Sequence, residues 1–264
     1  MSINEKFWTR FLSGLLYALL ITISVFYSKF SFKVLITIFS TIVLKEYFNL
    51  INVKNYFFLL LVLFFIWTPR NLIINDYLII TTCIVSLISS IYCTILLFFK
   101  RNYKFSKIIF SFSLLYITTS FFFMIQIHEH GTDFSPLYLF LFFSSTWVNN
   151  IFAYLIGSKF GKNKILEEIS PNKTWEGFFG GFFASLTFIY FVEYYFNLFN
   201  NYWIVLGTII PVLSLIGDLL QSLYKRRAKM KDSGNLIPGH GGAYDRMDSV
   251  IYSALYYYLF LKLI

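Results

Sequence analysis

Residues 77–99 read YLIITTCIVSLISSIYCTILLFF, twenty-three positions without a charged side chain. About 20 such residues carry a helix across the hydrocarbon core of a bilayer, so this stretch places the chain in a membrane. The composition agrees. Of 264 residues, 58% are hydrophobic and 13% charged, and the mean hydropathy is +0.67. A soluble domain carries about 25% charged residues, and half that number cannot coat a globule. A soluble enzyme, a secreted disulfide scaffold and a disordered tail are excluded. Cys83 and Cys93 fall in this same apolar stretch. They stand about 15 Å apart along a helix axis, too far for a disulfide, and read as small packing residues.

Outward from this stretch the hydropathy predicts an all-α polytopic protein of nine spans: 11–28, 32–50, 56–68, 77–99, 108–127, 136–157, 174–196, 202–224 and 249–264. The third and ninth are short and read as half-spans or tilted pieces. The first follows Lys6 and Arg10 as a signal peptide would, but the small-x-small cleavage pattern is missing, so an uncleaved span is expected. With the N-terminus in the cytoplasm, all 22 Lys and Arg except Lys29, Lys33, Arg70 and Lys262 fall on the inner side, as the positive-inside rule demands. The net charge of +9 is then topology, with anionic lipid headgroups as partner and no role for nucleic acid.

No internal repeat is visible, but the halves differ. Residues 1–135 are expected to form nearly charge-free helices with short loops. Residues 136–264 carry polar residues inside spans and two long loops, 158–173 and 225–248, all within one membrane domain. Two spans separate those loops, so they share a compartment and can meet. Asp218 lies within the eighth span, where an ionisable group is costly and marks a functional site by default. The bland alternative is a structural carboxylate paired with a nearby cation. Ser222, Lys225 and Arg226 follow at i+4, i+7 and i+8, on one helix face with Asp218. Pro211 and Gly217 on the same span favour a kink or thin spot.

The loop 225–248 reads KRRAKMKDSGNLIPGHGGAYDRMD, and five of its first seven residues are cations. Gly239, Gly241 and Gly242 surround His240, and Asp245, Arg246 and Asp248 follow. Glycines let backbone amides approach an anion, cations hold phosphate oxygens, and two carboxylates three residues apart suit Mg²⁺ shared with phosphate. The other loop ends in SPNKTWEG, 170–177. Here Ser170 is the expected helix cap and Pro171 the first helical residue, aiming a positive helix end past Lys173. Gly177, Gly180, Gly181 and Ala184 form a small-residue packing face. The run 157–162, GSKFGK, is one residue short of a P-loop and lacks its Ser/Thr and its strand. Asn149 and Asn150 are expected as buried amides.

On these residues the chain resembles the phosphatidate cytidylyltransferases, also called CDP-diacylglycerol synthases. Their signature is matched with every spacing kept by Ser222, Lys225-Arg226, Lys231-Asp232, Pro238, His240-Gly241-Gly242 and Asp245-Arg246-Met247-Asp248. The likeness extends to Asp218, to 170–177 and to 147–161; the first 140 residues match in hydropathy alone. Tyr224 and Ala243 replace aliphatic residues. Asn150 stands where the family has Asp in a Trp-x-x-Asp-x-x-Ala-Tyr stretch, which leaves one metal or substrate contact neutral.

The resemblance implies a homodimeric enzyme of a bacterial cytoplasmic membrane, its site facing the cytoplasm, that joins CTP and phosphatidate into CDP-diacylglycerol and pyrophosphate. It implies Mg²⁺, with a second, monovalent cation left open. Asp218 and Asp245 are the expected metal ligands, with Asp248 a third. Lys173, Lys225, Arg226, Lys231 and Arg246 are expected on triphosphate and lipid phosphate, and His240 as bonding or protonating the pyrophosphate. Ser222, Asp232, Gly241, Gly242 and Asn150 complete the substrate contacts. The rival readings are a CTP-dependent polyprenol or lipid kinase, which releases CDP, and an organic-anion or phosphate transporter, which favours repeated halves. The charge pattern makes a first prediction. Single cysteines in the loop 225–248 and beside Ile264 should react with an impermeant maleimide from opposite sides of the membrane, and reaction from one side overturns the nine-span topology.

Overall fold

The computed structural model describes residues 3–53, 57, 59–68, 76–99, 107–129, 134–199, 202–236 and 241–264. These residues form nine helices: α1 (Ile3–Tyr27), α2 (Lys29–Leu50), α3 (Leu59–Trp67), α4 (Asp76–Phe99), α5 (Lys107–His128), α6 (Pro136–Phe160), α7 (Trp175–Phe196), α8 (Trp203–Arg227) and α9 (Tyr244–Leu263). Among the described residues there is no strand, only an isolated bridge between Lys164 and Thr174. Five helices, α4 to α8, are long and apolar enough to cross a membrane, so the chain is an all-helical polytopic membrane protein. The described part of α3, at nine residues, rises about 14 Å, less than half a hydrocarbon core.

In the second half, two helix starts differ from expectation. The seventh helix begins at Trp175, capped by Thr174, whose Oγ1 accepts from Gly177 N at 3.2 Å. Ser170 and Pro171 instead sit in a turn closed by Lys173 N to Ser170 O at 3.2 Å. The last helix begins at Tyr244 rather than at 249, so Asp245 and Asp248 lie on its first turns.

The arrangement puts α9 in the middle. It packs on α2, α4, α5, α6 and α8, and fourteen of its twenty residues are buried. That encirclement explains a helix too rich in Ser and Tyr for a lipid-facing one. Its hydroxyls find partners: Tyr256 and Ser90 at 2.9 Å, Tyr244 and Tyr116 at 3.0 Å, Tyr257 and the Tyr138 carbonyl at 2.9 Å. With no water in the core, each such group would otherwise be left costly and unpaired. By contrast, α4 turns Ile80, Ile84, Ile88, Ile91 and Ile95 outward, each about half exposed, an apolar stripe of helical period suited to acyl chains.

The small-residue face on α7 packs as expected. A Cβ at Gly181 would lie 2.6 Å from the Asn149 carbonyl oxygen, and one at Gly177 would lie 2.7 Å from that of Ala153. The backbones of α6 and α7 therefore touch. Gly181→Leu should destabilise the protein by about 1–3 kcal/mol, read as a lower midpoint of thermal unfolding in detergent. Phe183→Leu, on the exposed face of α7, should leave that midpoint in place.

Candidate functional site

The polar residues of the second half gather where α6, α7, α8 and α9 meet the long loops. The loop before α7 is a clasp. Ile165 N donates to Lys173 O at 3.1 Å, and Trp175 N to Asn163 O at 2.9 Å. Glu176 receives Lys162 N at 3.1 Å and Asn163 Nδ2 at 2.7 Å. These bonds hold Lys173 against α8, where its ammonium forms an ion pair with Asp218. Burial opposes the Lys173 charge, but the Asp218 carboxylate more than offsets it, and the lysine pKa lies above its ordinary value.

Asp218 is half-buried, its side chain 24% exposed, and takes a second bond from Ser222 Oγ at 3.3 Å. Asp218 and Ser222, expected on one helix face, thus also bond each other. Its neighbour Gly217 sets how closely α8 meets α9. A Cβ there would lie 2.6 Å from the Asp248 carbonyl oxygen and 2.8 Å from Tyr252 Cβ, so only glycine allows the approach that brings Asp218 beside Asp248. Among the described residues, Asp248 has one hydrogen bond, from Ser249 N at 2.6 Å. Asp248 is buried beside the Asp218 carboxylate.

Asp245 is different. Its Oδ1 accepts from Lys225 Nζ at 2.7 Å and Gln221 Nε2 at 2.9 Å. Its Oδ2 accepts from Ser233 N at 2.9 Å, Ser233 Oγ at 3.0 Å and Gly242 N at 2.9 Å. Burial works against this carboxylate, but the Lys225 ammonium and the backbone amides outweigh it and hold its pKa below the ordinary range. Gly241, with φ +87°, adopts the left-handed backbone that brings the loop round, and a Cβ there would meet Asp245 Oδ2 at 2.7 Å.

The two loops do meet, as Arg226 Nε donates to the Ile169 carbonyl at 3.1 Å. Lys231, Asp232 and Arg246 are exposed, and the Arg246 carbonyl accepts from Tyr17 Oη at 3.4 Å. His240, with Pro238 and Gly239, lies outside the described residues. Asn149 is buried as expected, but Asn150 is not. Asn150 borders a cavity of about 460 Å³ shared with Asn149, Lys164, Asn172, Lys173 and Pro211. Its Oδ1 accepts from Ser214 Oγ at 2.9 Å and Asn149 Nδ2 at 3.1 Å, while its Nδ2 donates to Ser249 Oγ at 3.3 Å. The neutral amide thus bridges α6, α8 and α9, a task that uses both its donor and its acceptor.

Sequence reasoning missed Glu46, a buried acid on α2 that bonds the glycine-rich loop through Ser233 and the start of α9. The signal was there: a lone acid at the end of an apolar span, the sign that picked out Asp218. Gln221 and Glu176 carried no such mark. Among the described residues, no three His, Cys, Asp or Glu side chains gather to hold a metal by themselves.

Residues 8–264 match the sequence model of the Cytidylyltransferase family. A protein of Staphylococcus aureus named phosphatidate cytidylyltransferase is 42% identical over 146 residues, 53% of each chain. One of the same name from Aquifex aeolicus is 38% identical over 152 residues, 57% of this chain and 56% of that one. A third, from Staphylococcus epidermidis, is 34% identical over 142 residues, 53% of each. The chain spans about half the length of the curated relatives it matches.

The bonding of Asp245 makes a prediction. An amide at this position presents N–H to N–H on one oxygen's side, so Asp245→Asn should loosen the loop as well as remove a charge. Losing a buried, charge-bearing acceptor costs about 3–5 kcal/mol when its partner stays buried. The variant should show faster amide exchange at Ser233 and Gly242, with α4 and α5 unchanged.

Proposed function

The chain belongs to the cytidylyltransferase family, and on that premise we propose that it transfers the cytidylyl group of CTP to the phosphate of phosphatidate. A lipid phosphate oxygen attacks the α-phosphorus in line, the bond to the β-phosphate bridging oxygen breaks, and pyrophosphate leaves. The products are CDP-diacylglycerol and pyrophosphate. One observation carries the reading: Lys173 and Lys225 are each paired with an aspartate at the edge of the membrane-spanning helices. Two anionic substrates need cations to bring them together, and flexible lysine stems can turn from carboxylate to phosphate. The cavity beside Lys173 and Asn150 offers room next to these charges. Arg226, Lys231 and Arg246 add positive potential from the rim. His240 is assigned to the pyrophosphate side, where it bonds or protonates the leaving group.

Mg²⁺ fits Asp218 with Asp248. Asp248 is buried next to the Asp218 carboxylate and has a single backbone donor among the described residues, so its free oxygen and Asp218 together could hold a cation. Two carboxylates with water and phosphate oxygens are the usual Mg²⁺ set. Bound there, the ion neutralises phosphate charge as a Lewis acid. Asp245, with both oxygens already engaged, orders the loop instead. The same reading includes a homodimer in a bacterial cytoplasmic membrane, with the site facing the cytoplasm, an orientation that the basic loops support.

The test is purified protein with phosphatidate, Mg²⁺ and CTP labelled at the α-phosphate. Label in the lipid with release of pyrophosphate is the expected result; CDP released with an unlabelled lipid overturns it in favour of a kinase. Asp218→Asn should lower turnover by about two orders of magnitude, the scale lost with one preorganised charge.

A further inference from the structure

Glu46 sits near the end of α2, almost 200 residues from its partners, and is 7% exposed. Its carboxylate accepts from Ser233 Oγ at 2.8 Å, from Ala243 N at 3.0 Å and from Tyr244 N at 2.8 Å. The first turn of a helix has amide N–H groups with no partner inside the helix. Here the capping residue is Ala243, which has no side-chain acceptor, and no side chain of its own segment caps α9. Glu46 fills that place from another helix, with the negative charge that a helix N-terminus favours.

The same carboxylate shapes the loop. A Cβ at Gly234 would lie 2.5 Å from Glu46 Oε1, and one at Gly242 would lie 2.3 Å from Oε2. Both arms of the loop, 233–234 and 242–244, therefore close on one acid. Ser233 Oγ also lies 3.0 Å from Asp245 Oδ2, so Glu46 and Asp245 share a donor and grip the loop from two sides.

We propose that Glu46 is a positioning residue: by capping α9 and closing both arms of the glycine-rich loop on itself, it sets Asp245 and Asp248 against α8 for catalysis. The effect on catalysis rests on the cytidylyltransferase reading above, and the grip on the loop does not. It touches no substrate group and acts through the loop and the helix start. Glu46→Gln keeps the shape but turns an N–H group toward donors. The control is Glu193→Gln, another buried acid, which accepts from Phe199 N at 2.7 Å in the turn after α7.

Two readouts on the full-length protein in detergent test the proposal. The first is the rate of trypsin cleavage at Lys229 and Lys231, both exposed. The second is KM and kcat for CTP. Glu46→Gln should raise the cleavage rate and the KM by about tenfold each, the scale of one charged hydrogen bond lost from a buried site, while Glu193→Gln leaves both at wild-type values. Should Glu46→Gln fail to fold, Glu46→Asp, which keeps the charge but withdraws it by one methylene, should move both readouts the same way by a smaller factor. A folded variant with wild-type cleavage and wild-type KM overturns the proposal, as does an equal effect in Glu193→Gln. A wild-type protein inert toward CTP and phosphatidate overturns the reaction instead, and the trypsin comparison still decides whether Glu46 orders the loop.

Discussion

Asp245 is the carboxylate on which the site hangs. A buried acid is tolerable only when donors surround it, and five reach this one from α8, from both arms of the loop and from a lysine. Meeting that demand draws the loop over the start of α9 and fixes how far α9 can rotate. Three residues on, Asp248 then faces α8, and the bare backbone at Gly217 lets the two helices close until Asp218 stands beside it. The acids thus divide the labour. One is saturated and holds the frame; of the other two, Asp218 is paired with Lys173, and Asp248 keeps a single donor among the described residues.

The lysines divide in the same way. Lys225 leaves α8 to reach an acid on the next helix, whereas Lys173 is delivered from a loop whose own hydrogen bonds stiffen it. An ammonium on a four-carbon stem keeps most of its contacts while its charged end moves. Both pairs therefore join charge to mobility at the edge of the apolar layer, where neither lone ion would be stable.

Much of this was legible in the sequence because it obeys local rules. Charge-free runs set the long helices, small residues at spacing of three and four set the contact of α6 with α7, and Asp218 with Ser222 followed from one turn of helix. What escaped depends on tertiary partners. Thr174 rather than Ser170 caps α7 because it is wedged among Gly157, Gly161 and Gly177, a fit that two separated segments create. The early start of α9 has no local acceptor to announce it. Asn150 reads as buried on hydropathy, yet a cavity opens beside it. The two halves also interlock: α9 lies against α2, α4 and α5, so the site of the second half is completed by residues of the first.

That interlocking has a consequence for biogenesis. Chains enter the membrane N-terminus first and domains assemble as they emerge. Glu46 therefore arrives with the second helix and stays without its partners until the ribosome has added the 187 residues that reach Ser233, and ten or so more for the start of α9. Through that interval α2 carries an acid it cannot satisfy, which holds its end near the aqueous boundary. Insertion of the last helix ends the wait and supplies the backbone amides. The arrival of α9 is thus also the step that ties α2 to the glycine-rich loop, and a nascent chain stalled before α9 leaves Glu46 without these backbone donors.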